Sequence, residues 1–150
     1  MSDRPSKIKT YMDVCDVVKL RSHDAETKVG AILVKNSSGA IIASGCNGFV
    51  RGADDSKLPN TRPEKYKFII HAEANLIANC ANLGIAMNDC TLVCTLSPCV
   101  SCMRWLFQCG ITKVIVKDLY KDFSDLITMK DIIVAVSKDE NNFYELNYTT

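Results

Sequence analysis

Apolar and polar residues follow two different periods in the first third of this chain. Over residues 6–21 the apolar positions recur every three or four residues, which predicts an amphipathic helix. The β-rich runs 29–34 and 40–44 flank the turn-forming residues 36–39, which predicts a β-hairpin. A polar segment, 46–62, follows and is long for a connection, as functional loops often are. The apolar positions of the predicted helix are Ile8, Tyr11, Met12, Cys15, Val18 and Leu20.

Two further helices are predicted in the second half of the chain. Helix-favouring residues fill 71–83, and Gly84 stands where it would end that helix. Pro98 is predicted to open the next helix, because its missing N–H group costs nothing in a first turn. That helix is expected to end near Cys109, which a glycine follows.

Strands are predicted between and after these helices. Residues 90–96 are β-rich, and 113–117 form a short apolar run typical of a buried strand. The run 132–136 fits either a strand or a short helix. Alternation of helices with strands predicts a three-layer α/β fold with at least one parallel strand pair. The chain has 150 residues without a repeat or linker, so residues 1–150 are predicted to form one domain.

Composition narrows the classes of function. Hydrophobic residues make up 47% and charged residues 23% of the chain, which is ordinary for a globular protein. The formal net charge is +1, so the chain lacks the excess of basic residues that is typical of proteins binding long nucleic acids. Small anionic ligands are still compatible with this charge, because they need only a few basic residues. The first seven residues do not resemble a secretion signal, and no apolar run approaches a membrane span. A cytoplasmic location is therefore expected.

Eight cysteines fit this expected reducing compartment better than a disulfide framework. Cys46 lies beside the polar segment, and its environment is left open. The cysteines that lie in apolar patterns, and are therefore predicted as small core residues, are Cys15, Cys80, Cys90, Cys94 and Cys109.

The strongest chemical signal is divided between two segments, His-Ala-Glu at 71–73 and Pro-Cys-Val-Ser-Cys at 98–102. His71, Cys99 and Cys102 offer one imidazole and two thiolates, a donor set that suits zinc. Three protein ligands leave the fourth tetrahedral position open for water, as in catalytic zinc sites, where the bound water has a pKa of about 7. The pattern therefore predicts catalytic Zn²⁺. A second zinc site built from the other cysteines is an open alternative, although they contain no second close ligand pair.

The spacing also predicts how these side chains converge. Cys99 and Cys102 are one helical turn apart, and the positive end of a helix dipole favours thiolates. Glu73 stands two residues after His71, where a carboxylate can take a proton from water and return it to the substrate. The backbone near Ser97 is predicted to accept the departing amino group. A structural zinc knuckle and a thioredoxin-like Cys-x-x-Cys pair are the alternatives.

The paired sequences His-x-Glu and Pro-Cys-x-x-Cys are the recognised signature of zinc deaminases. With its other segments the chain resembles the cytidine deaminase superfamily and, within it, the deoxycytidylate (dCMP) deaminases. The resemblance implies a three-layer α/β/α cytidine-deaminase-like fold with a mixed central sheet. It also implies hydrolysis of dCMP to dUMP and ammonia, which supplies thymidylate synthesis. The segments that carry the resemblance are Thr27–Ala31, Gly45–Asp55, Arg62–Tyr66 with His71–Asn75, and Leu96–Cys102.

The resemblance assigns further residues to the substrate. Asn47 would bond the sugar hydroxyl, with a turn residue as the alternative, and Tyr120 would pack near the base or phosphate, or simply end a strand. Arg51 would meet a nucleotide phosphate unless it is a solvated surface residue, and Lys28 would approach a phosphate or cover the hairpin. The substrate set is Asn47, Ala72, Ser97 and Tyr120. The effector or phosphate set is Lys28, Gly48, Arg51 and Asp55.

Three aromatic or imidazole side chains are assigned no substrate contact. His23 lies in a polar segment and is predicted to be a surface residue. Trp105 and Phe107 are predicted as core residues or subunit contacts. Members of the family that this chain resembles are typically hexamers that are activated by dCTP and inhibited by dTTP, often with Mg²⁺. This chain departs from the family pattern at Cys46 and Val50, where tyrosine and proline are usual.

Three other functions also fit the sequence. The enzyme could also accept dCTP, since either nucleotide needs only a few cations. A transfer-RNA or other polynucleotide deaminase shares the zinc signature but needs a positively charged track for the strand. A non-catalytic nucleotide-binding protein that uses zinc only for folding is the third alternative, and the intact Glu73 argues against it.

Overall fold

A six-stranded mixed sheet lies between helices in the computed structural model, which describes residues 3–120 and 133–148. Short 3₁₀ turns occupy 19–21, 55–57 and 64–67. The helices are α1 (Lys7–Val18), α2 (Ala72–Leu83) and α3 (Val100–Gln108). The strands are β1 (Gly30–Lys35), β2 (Ile41–Cys46), β3 (Cys90–Leu96), β4 (Lys113–Asp118), β5 (Ile133–Lys138) and β6 (Tyr144–Tyr148).

The strand order is β2-β1-β3-β4-β6-β5. β1 and β2 form the predicted hairpin, and β1 also pairs antiparallel with β3. β3 and β4 are parallel, with α3 as the crossover between them, so the predicted parallel pair is confirmed. β6 pairs antiparallel with both β4 and β5. The ambiguous run near 132–136 is therefore a strand where it is described, from Ile133 onward.

Successive side chains of a strand point to opposite faces of the sheet, and each face packs against helices. On β1, Ala31 and Leu33 belong to a cluster that includes α2 and α3 residues, whereas Ile32 and Val34 belong to a cluster on the α1 side. The predicted three-layer α/β/α arrangement with a mixed sheet is confirmed. Four of the cysteines predicted as core residues are buried and the fifth, Cys109, is partly buried; the buried ones are Cys15, Cys80, Cys90 and Cys94.

Local signals explain where the first two helices begin and end. The Ser6 hydroxyl caps α1 by accepting a bond from the Lys9 N–H at 3.1 Å. Gly84 ends α2 in the left-handed conformation, with φ of 71°, as predicted. The α-helix at the N-terminus ends at Val18, and Leu20 lies in a 3₁₀ turn with 66% of its surface exposed. Leu20 was therefore wrongly placed on the apolar face.

The prediction for Pro98 is also wrong in its position. Cys99 is the N-cap of α3, in an extended conformation, and the helix begins only at Val100. Pro98 therefore precedes the cap and favours an extended backbone at Ser97. Among the helices of the described residues, none has the length and apolar character needed to cross a membrane.

Candidate active site

A cavity of about 320 Å³ opens where the carboxyl ends of β3 and β4 meet the N-terminus of α2. Ser97 follows β3 and Tyr120 follows β4, and both line this cavity. The carboxyl ends of parallel strands are the usual place for ligand sites in open α/β sheets. Loop residues on either side, from 24–29 and 62–69, complete its wall.

The three predicted metal ligands converge beside this cavity. His71 is the N-cap of α2, Cys99 is the N-cap of α3, and Cys102 lies in the first turn of α3. Their ligand atoms all lie within 4.8 Å of one another, and they form the one such group found in the described part of the chain. The His71 Nδ1 atom is 3.5 Å from the Sγ atoms of both cysteines.

These separations fit a zinc ion. Ideal tetrahedral coordination by one nitrogen and one sulfur, at ordinary zinc distances, places the two atoms about 3.6 Å apart. The observed separation between His71 Nδ1 and either sulfur is 3.5 Å. Two thiolates and one imidazole also match the ligand preference of zinc. A fourth histidine, cysteine or carboxylate ligand does not join this group within the described residues.

The two thiols differ in their electrostatics. Hydrogen bonds with Cys102 and His71 lower the pKa of the Cys99 thiol to about 3. The shared proton with Cys99 and burial raise the pKa of Cys102. The hydrogen bond to Cys99 raises the pKa of His71. Without a cation the pair therefore holds one thiolate and one thiol, and both sulfurs can ionise only when a positive charge such as a divalent metal lies between them.

Glu73 lies in the first turn of α2, and its side chain lines the same cavity. Only 4% of its surface is exposed, and this burial raises the pKa of its carboxyl group. The buried Cys94 thiol donates a hydrogen bond to Glu73 Oε1 at 3.2 Å. Cys94 was predicted only as a core residue, so this contact with the carboxylate is a further finding.

All four residues of the predicted substrate set line the cavity. The Asn47 Oδ1 atom accepts a bond from the Val29 N–H at 2.9 Å, and its Nδ2 donates to the Thr27 carbonyl at 2.8 Å. The Ser97 hydroxyl accepts a bond from the Tyr120 N–H at 2.7 Å. Asn47 therefore joins the loop before β1 to the end of β2, and Ser97 joins the ends of β3 and β4.

The predicted effector or phosphate set does not line the cavity. Arg51 is exposed and donates to Asn79 Oδ1 on α2 at 2.9 Å. Lys28 is also exposed, and its ammonium group donates to the carbonyl of Ser22 at 2.8 Å. Gly48 and Asp55 lie in the loop that follows β2. The structure thus separates these residues from the substrate set.

His23 organises that loop, which corrects its prediction as a plain surface residue. Its Nδ1 atom accepts a bond from the Phe49 N–H at 3.1 Å, and its ring stacks on the Phe49 ring. Its Nε2 atom lies 3.0 Å from Asp55 Oδ2. A side chain at Gly48 would collide with the imidazole, because an added Cβ atom would lie 2.5 Å from Nδ1. Sequence spacing carries no signal for contacts between residues this far apart.

The cavity wall also contains a buried ion pair, Asp24 and Lys65, that no sequence pattern indicates. Both side chains line the cavity yet are almost fully buried, and the Lys65 ammonium lies 2.9 and 2.8 Å from the two Asp24 oxygens. Burial opposes ionisation of Asp24, but hydrogen bonds from Lys65 and from backbone N–H groups lower its pKa overall. The only signal for Lys65 was its place in the segment Arg62–Tyr66.

The two remaining aromatic predictions have different outcomes. Phe107 is buried and stacks on Tyr148 with ring centroids 4.4 Å apart, as expected of a core residue. Trp105 is 62% exposed, so the alternative that it belongs to the core of the chain is wrong. The outward position of Trp105 follows from helical periodicity, because α3 turns its opposite face, with Met103 and Leu106, toward the sheet.

A mixed sheet on which two helix N-termini bring together one histidine, two cysteines and a glutamate defines a zinc-dependent deaminase class. The profile of the cytidine and deoxycytidylate deaminase zinc-binding region matches residues 5–118. The chain therefore belongs to the cytidine and deoxycytidylate deaminase family.

Individual relatives point to the deoxycytidylate branch. A probable deoxycytidylate deaminase of Caenorhabditis elegans is 36% identical over 114 residues, which cover 72% of this chain and 55% of the relative. The deoxycytidylate deaminase of Homo sapiens is 34% identical over 119 residues, which cover 75% of this chain and 65% of the relative. The chain thus spans little more than half to about two thirds of the length of these relatives.

A solved structure is similar over more of its length. The dCMP deaminase of cyanophage S-TIM5, crystallised in complex with dCMP and dUMP, matches with a TM-score of 0.70 and 28% identity. The match covers 87% of this chain and 94% of that protein. The cytidine-deaminase-like fold implied by the sequence is therefore confirmed.

Proposed function

We propose that this chain catalyses the zinc-dependent hydrolysis of dCMP to dUMP and ammonia. One observation carries the proposal: the ligand atoms of His71, Cys99 and Cys102 converge beside a cavity that also holds the buried carboxyl of Glu73. Relatives named deoxycytidylate deaminases, and a similar enzyme crystallised with dCMP and dUMP, support the choice of substrate.

His71, Cys99 and Cys102 would hold the metal, and Zn²⁺ bound there supplies a Lewis acid that makes a water molecule more acidic. Glu73 removes a proton from the attacking water while the water oxygen forms a bond to C4 of the pyrimidine. Burial raises the pKa of the Glu73 carboxyl toward the pH at which the enzyme works. A carboxyl group with such a pKa can both accept and release a proton during the reaction. Glu73 then delivers this proton to the ring nitrogen N3.

Glu73 next moves the second proton of the water to the amino group, and the bond between C4 and that nitrogen breaks. The products are dUMP and ammonia, so atoms and protons balance. The Ser97 carbonyl accepts a hydrogen bond from the departing amine, since Ser97 lines the cavity at the end of β3. Its hydroxyl already bonds the Tyr120 N–H, which keeps the two strand ends together.

Three residues would position the nucleotide. Asn47 receives the sugar hydroxyl on the second lone pair of Oδ1, because its first lone pair already accepts from the Val29 N–H. Ala72 lies in the first turn of α2, where backbone N–H groups lack helical partners, and donates to the pyrimidine carbonyl. Tyr120, 46% exposed at the cavity wall, packs against the nucleotide.

We further propose regulation by dCTP and dTTP at the loop that follows β2, with Mg²⁺ bound by the triphosphate. Gly48, Arg51 and Asp55 lie there, outside the substrate cavity, as a separate effector site requires. Lys28 is the fourth member of this set. The resemblance also supports a homo-oligomer, which we propose to be a hexamer. The exposed Trp105 offers an apolar surface for a contact between subunits. Residues 1–150 are proposed to act as one deaminase domain.

Ammonia release from dCMP, dCTP, cytidine and a transfer-RNA anticodon stem tests this function. We expect dCMP to be the preferred substrate, with turnover altered by dCTP and dTTP. Robust turnover of the RNA alone would replace the proposal with a polynucleotide deaminase, for which the net charge of +1 offers no support. Preference for dCTP would assign a triphosphate substrate instead.

The variant Glu73→Gln tests the proton transfer. It should keep bound zinc and lose turnover by about 100- to 10,000-fold, because general acid-base catalysis contributes that much. Elemental analysis and ammonia release measure the two effects. Full activity of this variant would remove Glu73 from the mechanism, and inactivity of the unmodified, zinc-loaded protein on the whole panel would favour a non-catalytic nucleotide-binding protein.

A further inference from the structure

The residues predicted to bind phosphate lie outside the cavity, so the substrate's own phosphate needs another partner. Apart from the metal-ligand candidate His71, two basic side chains, Arg62 and Lys65, line the cavity within the described residues. Lys65 is 2% exposed and is already bound by Asp24. The Lys65 ammonium also lies 3.4 Å from Glu26 Oε1, so an incoming phosphate would have to displace a carboxylate to reach it. Arg62 is therefore the cation that a ligand in this cavity can reach.

Arg62 is held at the cavity mouth by three side chains. Its Nε atom donates to the Tyr66 hydroxyl at 2.7 Å, and its Nη2 donates to Thr27 Oγ1 at 3.0 Å. Its Nη1 lies 3.3 Å from Glu26 Oε2. A guanidinium group has five N–H bonds, so these contacts leave one on each terminal nitrogen. The side chain is 43% exposed, and a phosphate can therefore approach this pair of donors from solvent.

We propose that Arg62 binds the phosphate of the nucleotide substrate and makes the enzyme prefer a nucleotide to a nucleoside. This inference rests on the proposed deamination of a deoxynucleotide in the same cavity. Glu26, Thr27 and Tyr66 act as positioning residues, because each occupies a different edge of the guanidinium. Tyr66 is 59% exposed and Tyr120 46% exposed, so the mouth is open to a charged group that remains partly hydrated.

The surrounding charges favour one phosphate group over three. Asp24 and Glu26 balance Lys65 and Arg62 in number, and Glu26 also lies 3.4 Å from the Lys65 ammonium. A single reachable guanidinium can pair with a single phosphate. The additional charges of a triphosphate would lie beside the Glu26 carboxylate without a second reachable cation from the described lining. Arg62 therefore favours dCMP over dCTP as the substrate.

The test compares Arg62→Gln with the unmodified zinc-loaded enzyme on dCMP and deoxycytidine. The variant should lower kcat/KM for dCMP about 10- to 100-fold, the loss expected for a hydrogen bond between charged groups, and leave that for deoxycytidine within about twofold. Arg62→Lys should recover only part of the loss, because lysine lacks the forked donor pair. Lys67→Gln removes an exposed positive charge from the same chain segment and serves as the control.

Binding of dUMP and deoxyuridine, measured by calorimetry, separates this inference from the proposed reaction. The unmodified protein should bind dUMP more tightly than deoxyuridine, and Arg62→Gln should remove this difference while Lys67→Gln keeps it. Equal losses on the phosphorylated and unphosphorylated ligands, or an unchanged preference in Arg62→Gln, would overturn the assignment. Absence of dCMP turnover by the unmodified protein would overturn the proposed reaction, whereas the binding comparison would still decide the Arg62 assignment.

Discussion

The two ends of the cavity are built differently. At the metal end, His71 and Cys99 are the N-cap residues of α2 and α3, so the backbone of two packed helices sets their positions. At the mouth, Arg62 and Tyr66 belong to a loop and a short 3₁₀ turn, and hydrogen bonds between exposed side chains hold them. Reactive groups thus lie on rigid elements, whereas the groups proposed to select the ligand lie on a loop.

Burial differs in the same direction. Glu73 is 4% exposed, whereas Tyr66 is 59% exposed. The low-dielectric surroundings of Glu73 make its pKa and its hydrogen bond with Cys94 sensitive to small changes. Contacts at the mouth are weakened by water, and the donors that they leave free can bond a ligand. The 3₁₀ turn that carries Tyr66 nevertheless also contains Lys65, which is held in a buried ion pair with Asp24.

Removal of a metal ligand is expected to have the largest effect on this comparison. His71→Ala should lose stoichiometric zinc and all measurable deamination, because two thiolates alone cannot complete a catalytic set of three protein ligands. Elemental analysis of the purified protein measures the metal. Cys109→Ala, which changes a half-buried cysteine outside the ligand group, should keep its zinc. Undiminished zinc in His71→Ala would refute the ligand set.

Disruption of the buried ion pair between Asp24 and Lys65 is expected to have the next largest effect. Lys65→Met keeps a long, unbranched side chain but removes the ammonium group, which leaves the Asp24 carboxylate buried without its cation. The free energy of unfolding should fall by about 3–5 kcal/mol, as is typical when one partner of a buried ion pair is removed. Urea unfolding at fixed protein and zinc concentrations measures this change.

The matched variant Lys57→Met removes the exposed partner of Asp54 and should leave unfolding nearly unchanged. Similar unfolding midpoints for Lys65→Met and Lys57→Met would show that the buried pair does not stabilise the fold.

The smallest effect is expected at Cys94, which touches Glu73 but not the ligand group. Cys94→Ala removes the thiol donor without enlarging the side chain and should lower kcat about 3- to 10-fold with KM unchanged, the effect of one lost hydrogen bond. Cys94→Ser keeps a donor and should stay closer to the unmodified enzyme. Steady-state kinetics on dCMP measure both. If the two variants behave alike, Cys94 affects Glu73 through packing rather than through its hydrogen bond.

Short-range patterns predicted most of the fold. The hairpin, the helix that ends at Gly84 and the strands on either side of α3 all follow from residues close together in sequence. The errors arose at boundaries: Pro98 precedes the α3 cap, and Leu20 lies past the end of α1. In both places a cap or a 3₁₀ turn replaced one turn of α-helix, and side-chain periodicity alone does not distinguish these conformations.

The metal end was predicted more completely than the mouth, because the residues that form it are closer together in sequence. Cys99 and Cys102 share one helical turn, and Glu73 is two residues from His71, so spacing alone indicated their chemistry. Lys65 bonds Asp24 across 41 positions and Arg62 bonds Thr27 across 35. The resemblance drew attention to Arg51 and Lys28 as cations for phosphate, whereas the folded chain places Arg62 at the cavity.

The sequence by itself determined the ligand types, the position of the glutamate and the alternation of helices with strands, because these depend on neighbours within one or two turns of the chain. Only the tertiary structure decided which charged side chains line the cavity and which are buried in ion pairs. It also placed the Cys94 thiol against Glu73 and the His23 ring against the loop after β2. Such contacts depend on how distant segments pack across the sheet, and neither composition nor periodicity contains that information.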